Sequence, residues 1–294
     1  MTRSRSPLLY VFLWVPVGYL LAFVGFPIAF NLIASVQKVT VGNIADFARP
    51  FVGVDNYLQV LADPAFRKVL INSLIFVSVN VAAQVGIGLA VALFFAQRFA
   101  GAHWMRGALL AGWMLPGLVV GALWKWIFAT QYGLANYALQ SLSIVSAPVH
   151  WLSDPAVSLL SVIVANIWFG MPFSMILVAA GLTGIPGELY EAAALDGAGA
   201  FSRFRFITLP ALAPTLLAVS CLVTIYTMRA FDLIFTMTEG GPLDSSNVLP
   251  VMSYQFSFQR FQFGPGAAVG TFAFVIVFAV ALLYVRTLGR EAQT

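Results

Sequence analysis

The residues of this chain best placed to act together lie in one stretch, Gly187-Glu-Leu-Tyr-Glu-Ala-Ala-Ala-Leu-Asp-Gly-Ala-Gly-Ala-Phe-Ser-Arg-Phe-Arg-Phe-Ile-Thr-Leu-Pro210. Pro186 suits a first helical position. Glu188 and Glu191 fall in the first turns, where the helix dipole favours negative charge. Ala192, Ala193, Ala194 and Leu195 extend a short helix, and Gly197 is placed to let the chain turn out of it. A second short helix is expected from about Phe201, with Phe204 and Ile207 at helical spacing, before Pro210 and Pro214 open an apolar segment. No nucleophile sits beside a base here. What such a surface offers is recognition, a small smooth helix laid into the groove of another protein.

Elsewhere the equipment of an enzyme or a self-powered pump is missing. There is no G-x-x-x-x-G-K-[ST] phosphate loop, no C-x-x-C and no H-E-x-x-H in the sequence. His103 and His150 fall in connections expected on opposite sides of a membrane. The single cysteine, Cys221, excludes an intrachain disulfide. Among acids in apolar segments only Asp232 is a candidate for ion coupling, and it lies near a boundary. The chain is therefore expected to be non-catalytic and to bind no cofactor, metal or nucleic acid. Its energy is expected to come from a partner.

The elements that must position these residues are membrane spans. The 294 residues are 61% hydrophobic and only 9% charged, with a mean hydropathy of +0.91; a soluble domain carries about 25% charged residues. Apolar windows fall near Tyr10–Val36, Val69–Ala96, Ala108–Thr130, Val157–Leu182, Leu209–Leu233 and Gly266–Leu288, each near or above the roughly 20 residues needed to cross the hydrocarbon. Lipid contact demands closed backbone hydrogen bonding, so the expected fold is all-α: a polytopic membrane protein of six transmembrane helices in one domain, residues 1–294. Arg3 and Arg5 precede the first window, which lacks a small-residue cleavage site and is read as a retained span.

Arginine placement favours cytoplasmic termini. On that orientation Arg3, Arg5, Arg98, Arg106, Arg203, Arg205, Arg286 and Arg290 lie inside. Lys38, Arg49, Arg67, Lys68, Arg260 and most acids lie outside. Lys125 and Arg229 belong to outer span ends, where long side chains snorkel to the interface.

Polar and aromatic residues within spans normally face a bundle interior or cavity. Asn80 and Gln84, at i and i+4, read as interhelical glue. Asn166, Trp168, Phe173, Thr224, Tyr226, Thr227 and Arg229 are candidates for a solute path. Phe173 and Tyr226 could stack on the apolar face of a ring, and Asn166 and Thr227 could bond hydroxyls. Gly170 and Pro172 are expected to loosen the fourth span. Arg229 and Asp232, one turn apart, could pair structurally or act at a gate. The aromatic segment Glu239–Phe263 could rest on the membrane edge or touch a delivery protein.

Glu191-Ala-Ala, then Asp196-Gly197-Ala198, then Ile207-x-Leu209-Pro210 with Pro214, resembles the EAA loop of ABC importer permeases. Phe51-Val-Gly-Val-Asp-Asn-Tyr57, Leu115-Pro116, Trp124-Lys125, Asn166-x-Trp168, Gly170-x-Pro172 and Thr238-Glu-Gly-Gly-Pro242 resemble the sugar-importer branch, of maltose, trehalose or glycerol-phosphate type. The resemblance implies a type I ABC importer permease in a bacterial or archaeal inner or plasma membrane. Its implied partners are a second permease as heterodimer, two ATP-binding subunits that use ATP and Mg, an extracytoplasmic sugar-binding protein or lipoprotein, and lipid. Residues 183–208 would be the cytoplasmic coupling loop, with Glu188, Glu191, Ala192, Ala193, Asp196, Gly197, Ala198 and Gly199 at the ATPase contact. Asn166, Trp168, Gly170, Phe173, Tyr226, Thr227 and Arg229 would line the cargo path. A permease for a non-sugar solute and a secondary carrier are the alternatives. A carrier would need coupling acids or an internal repeat.

Overall fold

The computed structural model describes residues 7–46, 48–97 and 99–291. Arg3, Arg5 and Arg98, and the side chain of Arg290, lie outside the described residues. Among those described there are helices and no strands, only an isolated bridge between Gln37 and Phe51. Five helices are long and apolar enough to cross a membrane: Trp14–Ser35, Phe66–Ala96, Ser158–Thr183, Ala200–Met228 and Phe263–Thr287. A bent pair, Ala102–Trp113 and Gly117–Ile127, turned by 98°, passes the same test together and makes a sixth if taken as one span.

That bend corrects the expectation of one straight third span over Ala108–Thr130. Its cause is local. Pro116 has no N–H to donate and pushes Leu115 away from helical geometry. Conversely, Pro172 does not break the fourth span, which stays helical from Ser158 to Thr183. The loosening expected from Gly170 and Pro172 is absent. Pro172 leaves only the carbonyl of Trp168 without its helical donor.

The fifth span also differs from expectation. No separate helix precedes it: one helix runs from Ala200 to Met228 through a π-helical turn at Phe204–Thr208. Pro210 would clash with the carbonyl of Phe206, and the wider turn makes room for it. The same device, a π-turn at Leu21–Gly25 ahead of Pro27, sits in the first span. The fifth span stops at Arg229, short of the expected Leu233, and a new helix starts at Asp232 and ends at Thr238.

The chain divides into two compact units: 1–66 with 252–272, and 67–251 with 273–294. In the first, Asn31 donates to the carbonyl of Ala267 and to Thr271 Oγ1, both at 3.3 Å. The Asn56 side chain donates to the carbonyls of Ser35 and Gln37 at 2.9 Å, and Tyr57 bonds Ser35 at 2.6 Å. The Phe51–Tyr57 motif thus fastens the end of the first span. Arg260 pairs with Asp63 at 2.8 Å.

The second unit holds two apolar cores. One gathers Phe76, Val120, Val162, Leu233, Ile234 and Met237. The other gathers Ala92, Phe95, Met175, Val178, Leu212 and Val219. Along the second and fourth spans, Asn80, Gln84 and Asn166 fall between these two sets. The segment after Thr238, expected at the membrane edge or against another protein, is tied into the protein at its start. Ser245, Ser246, Asn247, Val248, Leu249 and Val251 are buried. The Asn72 side chain donates to the carbonyls of Asp244, Ser245 and Asn247, and Ser158 bonds Ser245 at 2.6 Å.

Gly121 sets the distance between Gly117–Ile127 and Asp232–Thr238. A Cβ there would meet Thr236 Cβ at 2.9 Å and the Leu233 carbonyl at 3.1 Å. Gly121→Val should cost about 1–3 kcal/mol of stability through overpacking. It would be read as a lowered unfolding midpoint of the purified protein. An unchanged midpoint would mean that the two helices do not pack this closely.

Candidate functional site

Two sites emerge, one at each end of a chain of helical contacts in the second unit. The first is the alanine-rich loop. Gly187–Leu195 is a helix, and Gly197 leaves it with φ +77°. The N–H of Ala198 reaches back to the Ala193 carbonyl at 2.8 Å, and that of Gly197 to Ala194 at 3.1 Å. This is the paired bonding of a Schellman stop, whose left-handed position suits glycine. Tyr190 Oη bonds Thr208 Oγ1 at 2.9 Å, holding the short helix against the root of the fifth span. Glu188, Glu191, Ala192, Asp196, Gly197 and Gly199 are exposed, and Ala193 and Ala198 are half-buried. Leu195 is 90% exposed at the helix end. A short helix that displays acids, alanines and a bare leucine leaves its recognition groups free.

The second site is a cleft of about 210 Å³ at the breaks of the third and fifth spans. Asn166, Gly170, Phe173, Tyr226, Thr227 and Arg229 all line it. Trp168 does not. It turns to Gly112 and lies edge-on to Trp124 at 5.9 Å. Thr224 also faces elsewhere, bonded back to the Ser220 carbonyl at 2.8 Å. Arg229 and Asp232 both line the cleft, but no ion pair joins them, because the helix ends at one and restarts at the other.

Three rings form the wall. Trp113 stacks on Phe173 at 5.2 Å, and Phe173 meets Tyr226 edge-on at 5.3 Å. Tyr226 remains 57% exposed, so part of its ring is open to a ligand. Offset and edge-on pairs of this kind hold ring orientation while leaving one face free.

Buried amides close the cleft on another side. Gln84 Nε2 donates to Asn80 Oδ1 and to the carbonyl of Asn166, both at 3.0 Å, and Asn166 Nδ2 donates to Asn80 Oδ1 at 2.8 Å. Asn166 therefore ties spans two and four while also lining the cleft. Trp113 and Gly117 are outside the expected path residues, and Gln84, a path candidate read more as interhelical glue, and Asp232, read as a structural pair or gate contact, line the cleft as well. The break at Leu115-Pro116 was the signal for the first two, since it turns the chain at that level. Among the described residues no group of three or more His, Cys, Asp or Glu could hold a metal ion.

Gly170 provides the space for Gln84. A Cβ at 170 would lie 2.1 Å from Gln84 Oε1. Gly170→Ala should therefore dislodge the amide and cost about 1–3 kcal/mol by leaving buried polar groups unpaired. Adding Gln84→Ala should recover part of that loss in a double-mutant cycle of unfolding midpoints. Strict additivity would place the clash elsewhere.

Comparison with known proteins gives these sites a family. The chain is 34% identical over 238 residues to the trehalose/maltose transport system permease protein MalF of Thermococcus litoralis, covering 81% of this chain and 80% of that one. It is 31% identical to the diacetylchitobiose uptake system permease protein DasB of Streptomyces coelicolor, covering 92% and 83%. The sulfoquinovosyl glycerol transport system permease protein SmoG of Agrobacterium fabrum is 30% identical, with 95% and 90% covered. The fold matches a chain in the crystal structure of a bacterial ABC transporter involved in the import of the acidic polysaccharide alginate. There the TM-score is 0.81 at 20% identity, with 96% of this chain and 95% of that one covered. Residues 84–291, which hold Gln84 and Asn166, the cleft and the alanine-rich loop, match the family model, and the chain belongs to the binding-protein-dependent transport system inner membrane components.

Proposed function

We propose that this multi-pass permease forms half of the translocation pathway of an ATP-driven sugar importer. The observation that carries the reading is the open Tyr226 ring, braced by Phe173 and Trp113 in a cleft with amide neighbours. Sugars offer apolar C–H faces to rings and hydroxyls to amides. Support comes also from relatives named for saccharide transport, at 30–34% identity over most of the chain. A cationic or acidic lining would suit other solutes, but here Arg229 and Asp232 contribute one charge of each sign.

On this reading the termini are cytoplasmic, and the loop 183–208 faces two ATP-binding subunits that use ATP and Mg. A second permease completes the pathway, and an extracytoplasmic sugar-binding protein delivers cargo. Glu191 makes the ionic contact to the ATP-binding subunit, and Gly197 sets the angle of the docked helix. Transport by the assembled complex in proteoliposomes tests the cargo assignment, with maltose, trehalose and diacetylchitobiose as probes. Tyr226→Ala should weaken capture of the transported sugar by about 1–2 kcal/mol while leaving assembly intact. Parental transport by that variant, or transport of none of these sugars, would overturn the assignment.

Coupling has its own test. Gly197→Val places a β-branched residue at φ +77°, a region that costs an L-residue about 1–2 kcal/mol before branching is considered. Glu191→Lys reverses a charge at the same surface, where a buried ionic contact would lose about 2–5 kcal/mol. Both variants should insert at normal abundance but fail to retain the ATP-binding subunits in pull-downs, or lose cargo-stimulated ATP hydrolysis. Retention of both properties would remove 187–199 from the coupling role.

A further inference from the structure

A second cleft lies at the far end of the fourth span from the alanine-rich loop. Ser158–Thr183 is one 26-residue helix, about 39 Å long, with the loop at its C-terminal end and residues 128–157 leading into its N-terminal end. Gln131, Tyr132, Leu134, Tyr137 and Gln140 of that connection, with Trp126 of the preceding helix, line a hollow of about 220 Å³. It is separate from the cleft at the span breaks and shares no lining residue with it.

The hollow is built rather than incidental. Trp126 stands in the last turn of Gly117–Ile127, and the chain then doubles back so tightly that only glycine fits at 133. A Cβ there would lie 2.3 Å from the Ala129 carbonyl and 2.5 Å from that of Ile127. This fold-back sets Trp126 opposite the helix Leu134–Ser141, on which Tyr137 and Gln140 share a face at i and i+3. Beneath them Asn136 is 3% exposed, and its amide is fully used. It donates to the carbonyls of Thr130 and Val149 and accepts from the Val149 N–H and Trp151 Nε1, each at 3.0 Å.

This rigid floor carries three open rings. Trp126, Tyr132 and Tyr137 are 56%, 70% and 72% exposed. None is in a ring pair with another aromatic residue, so their faces are free. Gln131 and Gln140 add amide donors and acceptors beside them. Trp and Tyr also mark membrane interfaces, but there they form a belt facing headgroups rather than a walled hollow with paired amides. The volume is below the roughly 300–1,000 Å³ of drug-sized sites, which suits one sugar ring rather than a whole oligosaccharide.

We propose that the Trp126–Tyr132–Tyr137 hollow is a second saccharide subsite, which takes a single pyranose ring by stacking, with Gln131 and Gln140 bonding its hydroxyls. The proposal rests on the sugar reading of the transport cleft. It adds a holding point at the mouth on the delivery side, before cargo reaches Tyr226.

The test uses the assembled complex in nanodiscs without the binding protein, titrated with maltose and diacetylchitobiose. The signal is the part of the tryptophan fluorescence lost in Trp126→Phe. Sugar should change that signal. The response should survive Tyr226→Ala and require roughly tenfold more sugar, or vanish, in Tyr132→Ala/Tyr137→Ala. Gln131→Ala/Gln140→Ala, milder and at exposed positions, should weaken it in the same direction. If the complex transports a probe sugar while the Trp126 signal ignores it, the subsite is refuted and the sugar reading stands. If the complex transports neither sugar, the sugar reading fails and the subsite with it. If the tyrosine variants reduce binding-protein recruitment alone and the sugar response persists unchanged, the hollow is a protein contact and the proposal is overturned.

Discussion

An amide in the middle of a membrane protein has nowhere to go but to another polar group. Asn80, Gln84 and Asn166 are buried between two apolar cores, and they satisfy one another across spans two and four. Each unpaired amide there would cost several kcal/mol, because neither lipid nor packed side chains replace water. The cluster therefore fixes the register of the two spans. A slide of one residue on either span would break its bonds at once. Gly170 is the necessary complement, a gap in the fourth span shaped for the Gln84 amide. The cleft is built on this fixed pair, with Trp113 of the third span and Tyr226 of the fifth joining Phe173 of the fourth in its aromatic wall.

Much of the architecture was legible because membrane burial writes itself in long apolar runs. The spans at 66–96, 158–183 and 263–287 lie close to their expected windows. The alanine-rich loop was legible down to the left-handed Gly197, since a Schellman stop is a local event encoded within six residues. Proline was harder to read. Pro116 breaks its helix, and Pro172 does not, although each removes one donor. What differs is the surroundings: Pro172 is buried within a helix packed along its length, whereas Pro116 begins a helix that packs against Asp232–Thr238 through Gly121.

Long-range bonding was invisible to local pattern. Nothing near Asp244 announces that Asn72 will donate to three carbonyls there, so a buried segment read as a surface loop. The same holds for Arg229 and Asp232. Their spacing suggested a helical ion pair, and the chain break between them removed the helix that would have aligned it. Trp168 failed for a related reason. The Asn166-x-Trp168 motif named both, but two positions along a helix are rotated by about 200°, enough for Trp168 to face Trp124 instead of the cleft.

The unbroken helix from Ala200 to Met228 has a mechanical meaning. Its 29 residues make a rod about 44 Å long, rooted by the Tyr190–Thr208 bond and ending beside Tyr226 and Thr227. A flexible joint after the alanine-rich loop would let that loop rock without consequence, as a loose linkage absorbs a push. An axial displacement at Ala200 would pass along this helix toward the cleft, because shortening a helix means breaking its backbone hydrogen bonds. The π-helical turn at Phe204–Thr208 and Pro214 both interrupt the regular bonding near its base, which makes that end a pivot for tilting rather than a shock absorber for length.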